Sequence, residues 1–390
     1  MVTGAYFPEI SAGGLQSRAV ARELAGRADV HVLTTSTDSS LASRDTIDGT
    51  PVSRIYVDVT SRASRLRATV QMLFELLRVV PRVDLIHVHG FSSKNILLAV
   101  VAKMFRRPIV LHLHTALHDE PAAVAGQGRL AWWAFATADH YLSVSPGLTA
   151  HFLAAGLPSD RISPAPNGVD TERFRPATSD ERVALRTALG LPLARPLILF
   201  VGIMSRDKQP HLLYDAWLRL QRDSALASTL VLVGATSPRQ FEADADLVAE
   251  IRRRADEAGF SDRVIFVPPN NQIHDYFRAA DVYAMPSIRE GLPVALLEAM
   301  ACGLPCVASR LPGATDVMIE DDVNGRLVPP RDATLLASAL GAAIANHGEA
   351  ARMGAAARRT IEERYTTARV AEIWLAAYQH VLAPSTVDRA

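Results

Sequence analysis

The chain has two cysteines in 390 residues, Cys302 and Cys306, four apart and with no distant partner. That excludes a disulfide framework and leads us to expect a reducing compartment. Lysine is almost as scarce: Lys94, Lys103 and Lys208 are the only ones, so arginine carries nearly all of the positive charge, as GC-rich coding would produce. Neither sign of charge is in excess, with 41 Lys plus Arg against 41 Asp plus Glu. No net field therefore recommends a nucleic acid or an acidic polymer as partner, and any basic site must be local. No apolar run approaches the roughly 18 residues of a membrane-spanning helix. The stretch from Met1 to Pro8 lacks the charged and apolar regions of a signal peptide. These absences predict a cytoplasmic protein. A Gly-x-Gly-x-x-Gly after a strand, with an acid about 20 positions on, is also missing, which argues against a dinucleotide-dependent oxidoreductase.

What is present is an alternation repeated twice. Strand-like runs at Val30–Thr34, Leu85–His89, Ile109–His114 and Tyr141–Ser143 are separated by helical patterns. After a breaker-rich stretch at 164–176 the scheme recurs, with Leu197–Val201, Thr229–Val233, Val264–Val267, Val282–Met285 and Cys306–Ala308. Continuous apolar strands between amphipathic helices predict parallel sheets covered on both faces. The fold class is therefore α/β: two Rossmann-like, doubly wound domains, with a boundary near residues 167–180. The first is expected over 1–170 and the second over 171–365, with a final helix at about 366–382 crossing back to the first. Ligands of such sheets bind at the carboxyl ends of the strands, so facing sheets would make one interdomain cleft.

The richest of the predicted loops follows Val282–Met285. In Glu290-Gly-Leu-Pro-Val-Ala-Leu-Leu-Glu298, Pro293 suits an early helix position, and the free N–H groups of a helix N-terminus suit a diphosphate. Gly291 permits close backbone approach, and Glu298, one turn further in, is placed to accept from two adjacent hydroxyls such as those of a ribose. Solvent-facing glutamates on an ordinary loop would give the same letters, so the neighbouring motifs decide. In the first half, Gly13-Gly14 open a helix expected from about Leu15 to Leu24, where backbone amides can meet a phosphate or an acceptor hydroxyl.

These motifs stand in a fixed order: Gly13-Gly14, His-Val-His-Gly at 87–90, His114-Thr115, Ser143-Val-Ser145, Asn167-Gly-Val-Asp170, Phe200-Val-Gly202 with Lys208, and Glu290 to Glu298 followed by Ala-Met-Ala-Cys-Gly-Leu-Pro. In that order the chain resembles the group-1 glycosyltransferases, family 4 of the nucleotide-sugar-dependent enzymes, over nearly its whole length. The resemblance implies the two-domain GT-B fold and transfer of a hexosyl group, with retention, from a UDP-, GDP- or ADP-linked sugar to a hydroxyl acceptor. The first domain would bind the acceptor and the second the donor. It implies that Glu298 holds the nucleotide ribose, that Glu290 reaches the donor sugar, and that Lys208 neutralises the diphosphate. Gly202, Gly291, Leu292, Pro293 and Val294 would line the donor, and His114 would stand near its sugar. No cofactor and no metal are implied. Two departures stand out: Ile203 occupies the place of the family arginine after Gly202, with Arg206 as the substitute cation, and Pro268 replaces the usual small residue near the base.

The remaining features have ordinary readings beside the sharper ones. His87, His89, His112 and His114 form two His-x-His pairs at strand ends, for which a zinc site is the rival reading; His87, His89 and His112 are expected to be packing residues. Asp244-Ala-Asp246 has the spelling of a metal-binding motif but falls at the start of a charged helix. Cys302 and Cys306 are expected to be small buried residues. Arg62, Arg65, Arg67, Arg78 and Arg82 flank Leu66, Val70, Leu73, Phe74 and Leu77 at helical spacing. That pattern over 62–82 serves either packing on the first sheet or peripheral contact with the inner face of the plasma membrane. An epimerase of the same architecture and a non-catalytic sugar-nucleotide binder are the functional rivals.

Overall fold

The computed structural model describes residues 1–9, 11–223, 226–235 and 243–383. The chain divides into two compact units, Met1–Gly168 with Thr367–Ala390, and Val169–Thr366.

Unit 1 contains β1 (Val2–Thr3), β2 (Val32–Ser36), β3 (Arg44–Ile47), β4 (Thr50–Tyr56), β5 (Ile86–His89), β6 (Ile109–Leu113), β7 (His140–Ser143) and β8 (Ile162–Pro164). They form one sheet in the order β3-β4-β2-β1-β5-β6-β7-β8, parallel throughout except where β3 runs antiparallel to β4. Unit 2 contains β9 (Leu197–Val201), β10 (Thr229–Val233), β11 (Val264–Val267), β12 (Val282–Met285), β13 (Cys306–Ser309) and β14 (Arg326–Val328). Its order is β11-β10-β9-β12-β13-β14, all parallel. Each order reverses direction once, between β1 and β5 in unit 1 and between β9 and β12 in unit 2. A crevice at the carboxyl ends of the strands follows from each reversal.

The strands of unit 2 are apolar because helices cover them from both faces. Ile198, Phe200, Leu230 and Leu232 are buried against Leu213, Trp217, Leu247 and Ile251. In unit 1 the last helix, Thr367–Leu382, sets Val370 and Trp374 among Val20, Val110 and Leu142. Its Arg27–Glu372 pair is exposed and adds little.

The β3–β4 hairpin, β8 and β14 are absent from the sequence-based reading. In β3 Arg44, Asp45 and Thr46 are exposed, as an edge strand demands, and no apolar run marks it. The helix at the Gly-Gly motif also starts earlier than expected. It spans Ala12–Glu23, because the Ser11 hydroxyl caps it by accepting from Gly14 N–H.

Candidate functional site

In unit 2 the loops after β9 and β12 meet over the crevice between these neighbouring strands. Ile288 N–H donates to the Asp207 carbonyl at 2.9 Å. Arg289 pairs with Asp207, and Lys208 Nζ lies 2.7 Å from both Oε1 and Oε2 of Glu290. The Glu290 side chain is only 10% exposed, so its charge depends on Lys208 for compensation. Gln209, next to Lys208, holds a left-handed backbone with φ 55°, a conformation that costs a non-glycine residue about 1–3 kcal/mol. That strain sits at the residue where the loop turns into helix Pro210–Asp223.

Beside this pair the helix Val294–Ala301 begins. Pro293 is its N-cap residue, with an extended backbone, one position earlier than an in-helix proline. Among the described residues the N–H groups of Gly291, Val294 and Ala295 have no acceptor, so the helix N-terminus is open for an anion. Leu292 is buried beneath it. One turn on, Glu298 is half-buried, and its carboxylate has no hydrogen-bond partner among the described residues. Burial pushes its pKa up to about 8, with Arg173 pulling weakly the other way. A carboxyl group in that state gains from any hydroxyls that donate to it.

Gly202 directly follows β9, its N–H donating to the Val233 carbonyl at 3.0 Å. The residue across from it, Gly234, was not singled out by the sequence reading. It has φ 151°, and a Cβ there would stand 1.8 Å from the Gly202 oxygen, so only glycine fits. The repetition of Phe200-Val-Gly202 as Leu232-Val-Gly234 was the available signal. Arg206 is 69% exposed, with Nε 3.1 Å from Asp244 Oδ2. Asp244 also caps helix Ala245–Glu257 by accepting from Leu247 N–H, which makes the Asp-Ala-Asp spelling a helix start. The structure therefore brings Lys208, Glu290 and the helix amides together and occupies Arg206 with Asp244. Ile203 stands half-buried after Gly202 and supplies no charge. Cys302 and Cys306 are buried free thiols, and burial pushes both pKa values up.

In unit 1, Gly13 and Gly14 lie inside the first turn of their helix. Gly14 N–H is taken by Ser11, and a Cβ on Gly14 would stand 2.2 Å from the Ala5 carbonyl. Of the two expected amide donors, only Gly13 is left open among the described residues. His114 follows β6. Its Nε2 is 3.0 Å from His89 Nδ1, and burial pulls its pKa down to about 4, so the imidazole is neutral. Asp119, which the sequence reading passed over, fixes this loop. Its buried carboxylate accepts from the N–H groups of Phe91, His114 and Thr115 at 2.8–2.9 Å and from the His118 ring. Burial opposes its ionisation, but those hydrogen bonds outweigh burial and hold its pKa below the usual range.

His87, His89 and His112 are buried as well, and burial drives all three well below the usual imidazole pKa. They offer nitrogens within 4.8 Å of one another. However, the His87 and His89 rings stack at 4.2 Å and 28°, which sets their nitrogens side by side, whereas a metal needs lone pairs converging to about 2.0–2.1 Å. His87 Nδ1 bonds the Tyr378 hydroxyl at 2.6 Å and His112 Nε2 the Ala165 carbonyl at 3.0 Å, while Trp374 packs edge-on against His87. This geometry matches packing better than ligation.

Comparison with known proteins shows the family. Residues 181–360 match the family described as "Glycosyl transferases group 1" and residues 14–173 match "Glycosyltransferase Family 4". A D-inositol 3-phosphate glycosyltransferase of Xylanimonas cellulosilytica is similar, 35% identical over 70% of this chain and 67% of its own length. The chain belongs to the group-1, family-4 glycosyltransferases. It spans between 42% and 67% of the length of the curated relatives it matches. In fold it is similar to HepE from Anabaena, solved in complex with UDP and glucose (TM-score 0.79, 20% identity, 97% of this chain and 99% of that one). It is equally similar to sucrose-phosphate synthase from Thermosynechococcus elongatus (TM-score 0.79, 20% identity, 98% of each chain). The fold is GT-B, with two parallel-sheet α/β units. Among the described residues no helix is long and apolar enough to cross a membrane.

Proposed function

We propose that the chain transfers a hexosyl group from a nucleoside-diphosphate sugar to a hydroxyl acceptor, with retention and without a metal. The observation that carries this reading is Lys208, held by Glu290 at the open N-terminus of helix Val294–Ala301, with the unpartnered Glu298 carboxylate one turn away. A diphosphate set there meets a cation and free amides, which is what a leaving phosphate needs as its charge develops. Lys208 would then divide its hydrogen bonds between phosphate and Glu290, whose oxygens become available to the sugar, and Glu298 would take the ribose hydroxyls. Unit 1 would take the acceptor, with Gly13 offering it an amide and His114 a neutral imidazole. Front-side attack, in which the leaving phosphate takes the acceptor proton, requires no protein base. UDP sugars are the first donors to test because HepE was solved with UDP and glucose.

The test is a panel of UDP-, GDP- and ADP-sugars, scored by thermal shift and then by transfer to hydroxyl acceptors. One nucleotide should raise the apparent Tm by mass action, and transfer from it should continue undiminished in EDTA. Donor conversion without any acceptor would instead indicate an epimerase. Loss of transfer in EDTA, restored by one divalent ion, would defeat the metal-free reading.

A peripheral membrane position is part of the same proposal. Helix Arg62–Val79 buries Ala68, Met72 and Leu76, but leaves Leu66, Val70 and Phe74 exposed at 68%, 45% and 67%. Leu73 and Leu77 are half-buried between these faces. Arg62, Arg65 and Arg67 flank the exposed stripe, and among the described residues none pairs with an acid. An apolar stripe bordered by free arginines suits an anionic lipid surface. Co-sedimentation with phosphatidylglycerol-containing vesicles should fall about tenfold in Leu66→Ser/Phe74→Ser, and further in high salt. Equal binding by that variant would remove the stripe from the interface.

A further inference from the structure

Strands β5 and β6 are parallel neighbours with His89 opposite His112, so His87, His89, His112 and His114, at alternate positions, turn their rings to one face of the sheet. The rings pack there as a two-by-two block. His87 lies on His89 at 4.2 Å, His112 against His114 at 4.2 Å, and His89 against His114 at 5.2 Å. Trp374 covers His87, His89 and His112, with ring centroids 4.5–5.3 Å away. Two of the rings are tied to other residues: Tyr378 takes His87 Nδ1, and His112 Nε2 must donate to the Ala165 carbonyl, which can only accept. The other two are tied to each other, His89 Nδ1 to His114 Nε2 at 3.0 Å. Asp119 fixes the backbone of the same residue by accepting from His114 N–H.

Burial keeps both of these imidazoles neutral. A hydrogen bond between neutral imidazoles needs an N–H on one ring and a lone pair on the other, so the direction of this one bond sets the tautomer of both. If His114 donated, the proton of His89 would sit on Nε2, which has no acceptor among the described residues, in a side chain walled in by Trp374. If His89 donates, its Nε2 carries only a lone pair, and the unpaired N–H is His114 Nδ1. A buried donor left without an acceptor costs about 1–3 kcal/mol in either case. The second arrangement places that donor on the half-buried residue directly after β6, at the carboxyl ends of the strands, where a bound ligand can accept from it.

We propose that His89 is a positioning residue, whose Nδ1–H donates to His114 Nε2 and so holds the proton of His114 on Nδ1, the donor that His114 presents to a substrate oxygen. Neutral histidine left to itself favours the opposite tautomer, with the proton on Nε2, so this form requires a partner that donates to Nε2. The inference rests on the reading that His114 meets the substrate. Its test uses the full chain as wild type, His89→Leu, His89→Asn, His114→Ala and His89→Leu/His114→Ala. Leucine keeps most of the volume and no hydrogen bond, whereas the asparagine amide puts an N–H where Nδ1 stands. Ring-nitrogen NMR of the wild type, with His114→Ala to assign the signals, should find the His114 proton on Nδ1, and in His89→Leu it should move to Nε2. His89→Leu should lower kcat/KM for the acceptor roughly tenfold, the worth of one neutral hydrogen bond, and leave UDP affinity unchanged. His89→Asn should recover most of that loss. The double variant should be no slower than His114→Ala, because His89 acts only through His114. A wild-type His114 proton on Nε2, or wild-type transfer by His89→Leu, would overturn the inference. Equal losses in His89→Leu and His89→Asn would also overturn it, since they would trace the effect to ring packing. The reading of His114 fails separately, if His114→Ala transfers at the wild-type rate.

Discussion

Lys208→Ala is expected to slow transfer roughly 10²–10³-fold, the loss typical of removing one donor aimed at developing charge in a water-poor site. The same change should also destabilise the unliganded protein, because Glu290 is only 10% exposed and loses the ammonium 2.7 Å from both its oxygens. Breaking a fully buried pair from one side typically costs about 3–5 kcal/mol, and this partly buried one, with Lys208 27% exposed, should cost less than that. The two consequences separate in the double variant. Lys208→Ala/Glu290→Gln should recover most of the lost Tm, since the stranded charge is gone, but none of the turnover. Lys208→Arg should remain slow, because a longer planar guanidinium cannot take the ammonium's place between two carboxylate oxygens without moving the loop. Full activity in Lys208→Ala would remove Lys208 from the reaction. Recovery of turnover in the double variant would show that the single substitution acted only through the loop. Arg206→Ala should have a small effect, since Arg206 is paired with Asp244 on the surface.

The second large effect belongs to Glu298 and depends on pH. Its pKa is about 8 in the folded protein against 4.5 for the unperturbed group, so the folded state holds the proton more tightly than the unfolded one. The resulting stability is fully present below about 4.5 and is lost as pH rises to about 8, a swing on the order of a few kcal/mol. Unliganded Glu298→Gln, which cannot titrate, should match wild type near pH 5 and be more stable by several °C at pH 8. Nucleotide binding should run the other way. Ribose hydroxyls donate to a carboxylate, so wild-type UDP affinity should rise between pH 6 and 8, whereas Glu298→Gln should bind about tenfold more weakly at pH 8 and show no such rise. Parallel stability curves for the two proteins, or a UDP affinity indifferent to the substitution, would place the carboxylate elsewhere.

Much of this was visible in the order of residues, for physical reasons. A strand covered on both faces must be apolar throughout, and so β9 to β12 stand out as unbroken runs bounded by glycine, proline or a polar turn. A strand at a sheet edge has no such obligation. Of Arg44-Asp-Thr-Ile47 the first three residues face water and only Ile47 is buried, so the strand spells nothing recognisable. Helix Arg62–Val79 has apolar residues on two faces, and periodicity alone could not say which one the sheet would cover. The site residues were recognisable because their types match the chemistry of a diphosphate and a ribose. Their partners were not. Lys208 and Glu290 are 82 positions apart, and His89 and His114 are 25 apart. Nothing in local sequence records that the lysine faces a carboxylate and the one imidazole another. Arg206 shows the opposite error: two residues from Lys208 in sequence, it turns to Asp244 because a loop can direct successive side chains to different neighbours.

The last helix imposes an order on biosynthesis. Trp374 and Tyr378, which lie against His87, His89 and His112, leave the ribosome after all of unit 2 has been made. Until then the first 168 residues expose a row of imidazoles and the apolar groove holding Val20, Val110 and Leu142, against which that helix packs. Unit 2, uninterrupted in sequence, can finish folding first, although it comes second in the chain. A nascent chain therefore carries an unsealed amino-terminal sheet throughout the synthesis of its neighbour, and that interval is when chaperone engagement and aggregation would be concentrated.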